Sequence, residues 1–219
     1  MSTRETVRVA GPDAAAYLQG QISQDVDALV IGEPAWSLVL QPTGKVDAWF
    51  RIQRIDDQTF LLDVDAGHRD TLVARLSRFL LRTDATIEPV DTTIDSPVEW
   101  PGAADPTDER QRILAGMPRM GSELTEDTIP GEGGQRLIDL SVSFTKGCYT
   151  GQELVARIDS RGGNSSRDIT LLGNITNLVM NVGAGHRRSQ LLLSLLKYLF
   201  APAHNLESLA ALEPYLAKL

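Results

Sequence analysis

The segment from Val46 to Ile52 alternates strictly between two sets of side chains. Val46, Ala48, Phe50 and Ile52 form one set, and Asp47, Trp49 and Arg51 form the other. Because successive side chains of a strand point to opposite faces, this period of two predicts a strand whose core face carries the first set. Asp56-Asp57-Gln58 predicts a turn, and residues 59–64 predict the partner strand of a hairpin.

Other apolar segments extend this hairpin into a mixed fold. Strands are predicted at residues 7–10, 36–40 and 86–90, and a helix is predicted at 14–19, after Gly11-Pro12-Asp13. A second helix is predicted at 68–81, where Leu72, Leu76, Phe79 and Leu80 recur at helical spacing. The order strand, strand, helix, strand predicts an α+β lobe with helices on one face of its sheet. Residues 91–109 are expected to form a surface connection, 110–116 a short helix, and 137–144 a strand or a buried turn.

The composition excludes several classes of protein. A chain of 219 residues with one cysteine, Cys148, forms no internal disulfide, and its 42% hydrophobic content is typical of a globular protein. The first residues lack the apolar stretch of a secretory signal, and the longest apolar run, 191–200, is too short to span a bilayer. We therefore expect a cytoplasmic protein without a membrane partner.

The charge of the chain argues against general binding to nucleic acids. Its net charge is −8, whereas such binding depends mainly on Lys and Arg contacts with phosphates. Arg75, Arg78 and Arg82 are spaced to share one helix face, which predicts either a local basic patch or, by default, a solvated face. One cysteine and three scattered histidines do not predict a metal site built from this chain alone, although a cluster shared with a partner stays open.

The segment Lys146-Gly-Cys-Tyr-Thr-Gly-Gln-Glu153 concentrates groups suited to a planar ligand rich in nitrogen. Gly147 and Gly151 permit close approach to the backbone, and the ring of Tyr149 can stack on such a ligand. Lys146, Gln152 and Glu153 add a cation, an amide and a carboxylate, which accepts from adjacent N–H donors. A structural loop that leads into a helix at Glu153 is the alternative interpretation of the same pattern.

The same segment, followed by Leu154-Val-Ala-Arg157, resembles the signature of the YgfZ branch of the folate-binding, GcvT-like aminomethyltransferase superfamily. Further stretches are similar to that family, and the resemblance covers residues 7–164. They are Gly11-Pro-Asp-Ala14, Leu18-Gln-Gly-Gln21, Asp25-Val26, Pro42-Thr-Gly-Lys45, Gly116-Met-Pro-Arg119 and Ile129-Pro130.

The resemblance implies a folate-binding domain of several lobes around a central channel. It implies tetrahydrofolate or a derivative as the cofactor, and a role in maintaining iron–sulfur enzymes and, through them, some tRNA modification. Iron–sulfur assembly factors or client proteins would then be its partners. Cys148 falls on the family's best-known functional residue, and a reactive or redox role is implied for it, with a packed thiol as the alternative. The implied folate-binding residues are Lys146, Gly147, Tyr149, Gly151, Gln152, Glu153 and Arg157.

Asp47 is a further candidate for folate chemistry. Glycine-cleavage aminomethyltransferases have an acidic residue after the corresponding turn, and Gly44-Lys-Val-Asp47 is compatible with that position. The alternative is an exposed strand residue opposite the core face. Two functional alternatives accompany the YgfZ-type role: a tetrahydrofolate-dependent one-carbon transferase, and a truncated paralogue without activity.

The resemblance ends near Asn164. Family members continue into a β-barrel domain, whereas residues 165–219 have apolar positions at the three- and four-residue spacing of short amphipathic helices. We therefore expect two units. Residues 1–164 would form the folate-binding domain, and residues 165–219 would form an atypical, helical C-terminal segment.

Overall fold

The computed structural model of the protein describes residues 4–95, 100–101, 111–112 and 115–160, with side chains up to residue 156 in the last range. The expected helical segment 165–219, the boundary at residue 164 and most of the connection 91–109 lie outside these residues. The expected helix at 110–116 is described only in part, with Gln111 and Arg112 helical.

The described residues form an α+β fold, as the sequence predicts. The described ranges contain five strands and four α-helices with printed bounds, and a 3-10 turn covers Pro130–Gly133. The strands are β1 (Arg4–Ala10), β2 (Pro34–Leu40), β3 (Val46–Arg54), β4 (Thr59–Asp65) and β5 (Thr86–Val90). The helices are α1 (Ala14–Gln21), α2 (Arg69–Ser77), α3 (Gln135–Ser141) and α4 (Gln152–Ser160).

The five strands form one antiparallel sheet in the order β2-β3-β4-β1-β5. The predicted hairpin is its centre, with Phe50 opposite Val64 and Ile52 opposite Leu62. These residues are fully buried, and so are Val7 and Val9 of β1. Helix α2 packs against β1, β3, β4 and β5 and buries Leu72 and Leu76. The apolar set of the alternating pattern therefore forms the core face, as predicted.

The second face of the sheet is also covered, which corrects the expectation of helices on one face only. Trp49 is 1% exposed, its ring stacks on Trp36 with centroids 3.9 Å apart, and its indole nitrogen donates to Ser141 Oγ of α3 at 2.9 Å. The alternation did not reveal this, because an aromatic residue among polar neighbours fits a solvated face as well as a second packed layer.

Helix α2 ends earlier than the spacing predicts. It stops at Ser77, so Phe79 is 42% exposed and Leu81 is 86% exposed. Arg82 has a φ of 64°, outside the helical region, so the expected face shared with Arg75 and Arg78 does not form. Arg75 itself is buried, which makes the predicted basic patch or solvated face wrong at this position.

The residues expected to form a strand or a buried turn at 137–144 are mostly helical. Helix α3 follows Gly134, whose φ of 86° suits glycine, and it buries Leu137, Ile138 and Ser141. Their spacing of one, three and four residues places them on one side of a helix. A seven-residue helix offers too few periods for the sequence to distinguish it from a strand.

Candidate functional site

The signature segment, which we define as Lys146–Glu153, joins the region after α3 to the first turn of α4. It lies between the C-terminal end of α1 and the turn that connects β2 to β3. Both neighbours lie more than 100 residues earlier in the sequence. The geometry of the segment therefore depends on long-range contacts.

The ammonium of Lys146 is held by three backbone carbonyl oxygens. Its Nζ donates to Gln19 O at 2.7 Å, Ile22 O at 2.8 Å and Gln24 O at 2.9 Å. An ammonium has three N–H donors, so this arrangement uses all of them. Burial lowers the pKa of Lys146 to about 8, while the negative charges of Asp25 and Asp27 act in the opposite direction.

These contacts complete the C-terminus of α1. The last carbonyls of a helix lack partners within the helix and carry partial negative charge, so a cation is favourable there. The backbone N–H of Thr150 adds a hydrogen bond to Gly20 O at 3.2 Å. The signature segment is therefore attached to α1 through both a side chain and its own backbone.

Tyr149 is packed inside the segment. It is 8% exposed, its ring centroid lies 5.2 Å from Lys146 Nζ, and burial raises the pKa of its phenol to about 12. The side-chain oxygen of Gln152 accepts from the Tyr149 N–H at 3.1 Å, and the Gln152 N–H donates to Tyr149 O at 3.3 Å. Tyr149 and Gln152 therefore stabilise the turn into α4.

Gly151 lies against the turn between β2 and β3. Its φ is +82°, and a Cβ there would lie 2.4 Å from Gln41 O and 2.7 Å from Leu40 Cβ. Across this contact Gly44 has a φ of +83°, and a Cβ on it would lie 2.6 Å from Leu154 Cβ. The two glycines therefore allow the signature segment and the Pro42–Lys45 region to touch. Gly147 has no such constraint, since a Cβ on it would have no neighbouring atom within 4 Å.

Two chemically distinctive side chains of the segment face outward. Cys148 is exposed and has no disulfide partner, and Glu153 is exposed in the first turn of α4. A carboxylate at that position is favourable because the N-terminus of a helix carries partial positive charge. Within the described part of the chain, no three His, Cys, Asp or Glu residues are grouped to hold a metal ion.

Asp47 occupies a β-bulge. Val39 pairs with Ala48 and Leu40 pairs with Val46, so Asp47 is the additional residue of β3 at this point. A bulge redirects its side chain out of the normal alternation. The Asp47 carboxylate is 18% exposed and lies 3.2 Å from Nε of Arg75.

Arg75 connects this bulge to the rest of the site, and the sequence interpretation missed its role. Its guanidinium donates to Leu40 O at 2.8 and 3.1 Å and to the side-chain oxygen of Gln21 at 3.3 Å. Burial lowers its pKa, and the Asp47 carboxylate acts against that change. The sequence feature that could have revealed this buried role is the position of Arg75 within an apolar stripe, three residues after Leu72 and four before Phe79.

The structure thus brings most predicted residues into one region. Lys146, Tyr149 and Gln152 make contacts inside the protein. Gly151 lies against Leu40, whose carbonyl oxygen accepts from Arg75. Asp47 forms an ion pair with the same arginine. The backbone of Arg157 lies in α4, but its side chain is outside the described part of the protein.

No family model matches the chain. Among curated proteins, an uncharacterized protein of Haemophilus influenzae is 28% identical over 73% of this chain and 68% of its own length. The tRNA-modifying protein YgfZ of Pectobacterium carotovorum is 26% identical over 80% of this chain and 69% of its own. An iron-sulfur cluster assembly factor IBA57 homolog, mitochondrial, of Neurospora crassa is 24% identical over 74% of this chain.

The solved structure of the glycine cleavage system aminomethyltransferase T from Bartonella henselae shares the fold. Its TM-score is 0.58 at 14% identity, over 74% of this chain and 62% of that one. Relatives named YgfZ and IBA57 at about 25% identity, together with this structural neighbour, support a YgfZ/GcvT-like family for the chain. This agrees with the resemblance carried by the signature segment.

The chain spans only part of the length of the proteins it matches. It spans about two thirds of the two bacterial relatives, 50% of the Neurospora protein and 62% of the aminomethyltransferase. No helix in the described ranges is long and apolar enough to cross a membrane.

Proposed function

We propose that the protein is a folate-binding protein of the YgfZ type that supports iron–sulfur cluster assembly or repair and, through it, tRNA modification. In this role it binds tetrahydrofolate or a derivative, acts in the cytoplasm and contacts iron–sulfur assembly factors or client proteins. The folate-binding unit comprises residues 1–164. The observation that carries the proposal is an exposed Cys148 at the centre of a rigidly attached signature segment.

Cys148 is proposed as the reactive group. The thiolate form of a cysteine is both a nucleophile and a soft metal ligand, and either chemistry requires access from outside. An exposed thiol meets this requirement, whereas a packed structural thiol does not. The described residues contain no metal-binding group of three ligands, so a cluster at Cys148 would need ligands from beyond them, and we propose a partner protein as their source.

The residues that fit a folate are a subset of the predicted set. Glu153 presents an exposed carboxylate that can accept from the adjacent N–H donors of a pterin. Gln152 is half-buried beside it, and Gly147 and Gly151 limit bulk along the segment. Lys146 does not fit this role, because its three donors already bind backbone carbonyls.

The one-carbon transferase alternative has weaker support. It assigns folate chemistry to a carboxylate at Asp47, but that carboxylate faces the guanidinium of Arg75 at 3.2 Å. This ion pair occupies part of the carboxylate and leaves fewer acceptor positions for a ligand. The intact internal contacts of the signature segment argue equally against a paralogue that has lost its site.

Titration of the purified full chain with tetrahydrofolate under anaerobic conditions tests the folate assignment. We expect saturable binding, which Glu153→Ala weakens by roughly one to two decades because pterin donors lose their acceptor. Asp47→Asn should change the affinity little. Absence of binding, or equal losses in both variants, would contradict the assignment.

The cellular role is tested separately with Cys148→Ser in a strain that lacks its own YgfZ-type protein. We expect wild-type protein to restore iron–sulfur enzyme activity and the serine variant to fail, although it folds and binds folate normally. Serine nearly keeps the size of cysteine but loses its nucleophilicity and soft-ligand character. Full complementation by the serine variant would rule out thiol chemistry.

A further inference from the structure

Lys146 sits in a site prepared for an ammonium. Its three acceptors belong to the end of α1 and the residues that follow, and they converge on one atom at 2.7 to 2.9 Å. Asp25 and Asp27, in the same connection, add favourable negative charge. The ring of Tyr149 lies on another side at 5.2 Å.

The residues that form this site are themselves held in place. The side chain of Gln19 donates to Asp25 Oδ1 at 2.9 Å and accepts from the Val26 N–H at 2.7 Å. Gln24 donates to Trp36 O and Leu140 O at 3.2 and 3.3 Å. The three carbonyls therefore belong to a connection fixed on several sides.

We propose that Lys146 is a positioning residue: its ammonium locks the signature segment onto the end of α1 and thereby fixes where Cys148 is presented. The role of Cys148 in this inference rests on the proposed function. Lys146 is thus assigned to an internal contact and not to a ligand. Thr150 and Gly151 also hold the signature segment in place, because they attach its second half to Gly20 and to the β2–β3 turn.

The geometry distinguishes lysine from arginine at this position. Three carbonyls that converge on one point suit a compact ammonium, whereas a planar guanidinium directs its donors outward in a fixed fork. A role based on charge alone would survive Lys146→Arg. A role based on the three convergent bonds would not.

The test uses the full chain and its only cysteine. A nitroxide attached to Cys148 reports the mobility of the segment through its electron paramagnetic resonance line shape, and amide exchange of Thr150 reports the bond to Gly20. Lys146→Met and Lys146→Arg are compared with Lys45→Met, since Lys45 pairs with Asp127 on the surface. All variants are measured without folate.

We expect the two Lys146 variants to give a more mobile line shape and about tenfold faster Thr150 exchange, the factor expected when one stabilising hydrogen bond is lost. Lys45→Met should match the wild type. Wild-type line shape and exchange in Lys146→Met, or in Lys146→Arg, would overturn the proposal. Wild-type line shape and exchange in Lys146→Met, combined with a lower affinity in the separate tetrahydrofolate titration, would instead make Lys146 a ligand contact.

These measurements need neither folate nor a client protein. The positioning role can therefore stand if the folate titration fails, and it can fail while folate binding stands. Should Lys146→Met not fold, Lys146→Arg keeps the charge and supplies the same two measurements.

Discussion

At the scale of single residues, the two glycines of the signature segment have different roles. Gly151 has a positive φ and touches the β2–β3 turn, whereas Gly147 has open space where a Cβ would lie. The sequence presents them as an equivalent pair. The positive φ of Gly151 and the approach of residues 40 and 41, which are distant in the chain, make only this glycine of the pair necessary.

Gly151→Ala should therefore destabilise the protein far more than Gly147→Ala. The added methyl would lie 2.4 Å from Gln41 O in a backbone conformation unfavourable to alanine. We expect a loss of about 1–3 kcal/mol in the free energy of unfolding, against less than about 0.5 kcal/mol for the control. Urea denaturation measures both. Similar losses in the two variants would contradict the contact between the segment and the turn.

The pH dependence of stability tests the burial of Lys146. Its pKa is about 8 in the folded protein and 10.5 ordinarily. Below pH 8 both states carry the proton, so the cost of burying the charge is fully present. Between about pH 8 and pH 10.5 the folded state has lost the proton of Lys146, whereas the unfolded state still binds it. Unfolding then takes up a proton, and stability rises with pH.

We therefore expect the melting temperature of the wild type, relative to Lys146→Met, to increase from about pH 7.5 to about pH 10. The comparison with the variant removes the contributions of other titrating groups. A difference that does not change with pH would mean that the three carbonyls fully offset the effect of burial, and that the folded pKa is close to its ordinary value.

At the scale of secondary-structure elements, Arg75 joins α2 to the strands beneath it. Its guanidinium bonds to Leu40 O of β2, lies 3.2 Å from Asp47 of β3 and lies 4.7 Å from the ring centroid of Phe79. Leu40 also lies against Gly151. The packing of α2 and the placement of the signature segment are therefore linked through one backbone position.

Arg75→Met should destabilise the fold by about 2–4 kcal/mol, because it leaves a partly buried carboxylate and a buried carbonyl without their cationic partner. Arg78→Met is the matched control, since Arg78 lies three residues later and is exposed. It should change stability by less than about 0.5 kcal/mol. Thermal and urea unfolding of the two variants provide the comparison. Equal effects would show that the Arg75 contacts do not stabilise the protein.

At the scale of the whole molecule, the contacts of the proposed site are made within residues 4–156. The sheet, α1, α2 and the signature segment supply every contact described for it. The division into a folate-binding unit of residues 1–164 and a C-terminal segment of residues 165–219 is a proposal that truncation tests.

Truncation after Asn164 should leave the affinity for tetrahydrofolate within about threefold of that of the full chain, a change of less than about 1 kcal/mol. We expect the shortened protein to remain monodisperse and to melt at a similar temperature, as measured by size-exclusion chromatography and calorimetry. A large loss of stability would instead make the C-terminal segment part of the core. The two-unit interpretation would then be wrong.

Local patterns in the sequence were enough to predict several elements of the fold. The hairpin of β3 and β4 follows from a period of two over seven residues, and α1 follows from Gly11-Pro12-Asp13 before an apolar stretch. The signature segment was sufficient to indicate a family resemblance, which the comparisons support. These predictions succeed because each depends on residues within a few positions of one another.

The arrangement of the candidate site, in contrast, became clear only from the packing of the folded chain. Lys146 and its three acceptors are separated by 122 to 127 residues, and Arg75 binds a carbonyl 35 residues away. The bulge at Asp47, the burial of Arg75 and the second covered face at Trp49 also arise from pairing and packing between distant segments. Sequence spacing shows which side chains share one face of an element, but the partner of that face is set by the global packing.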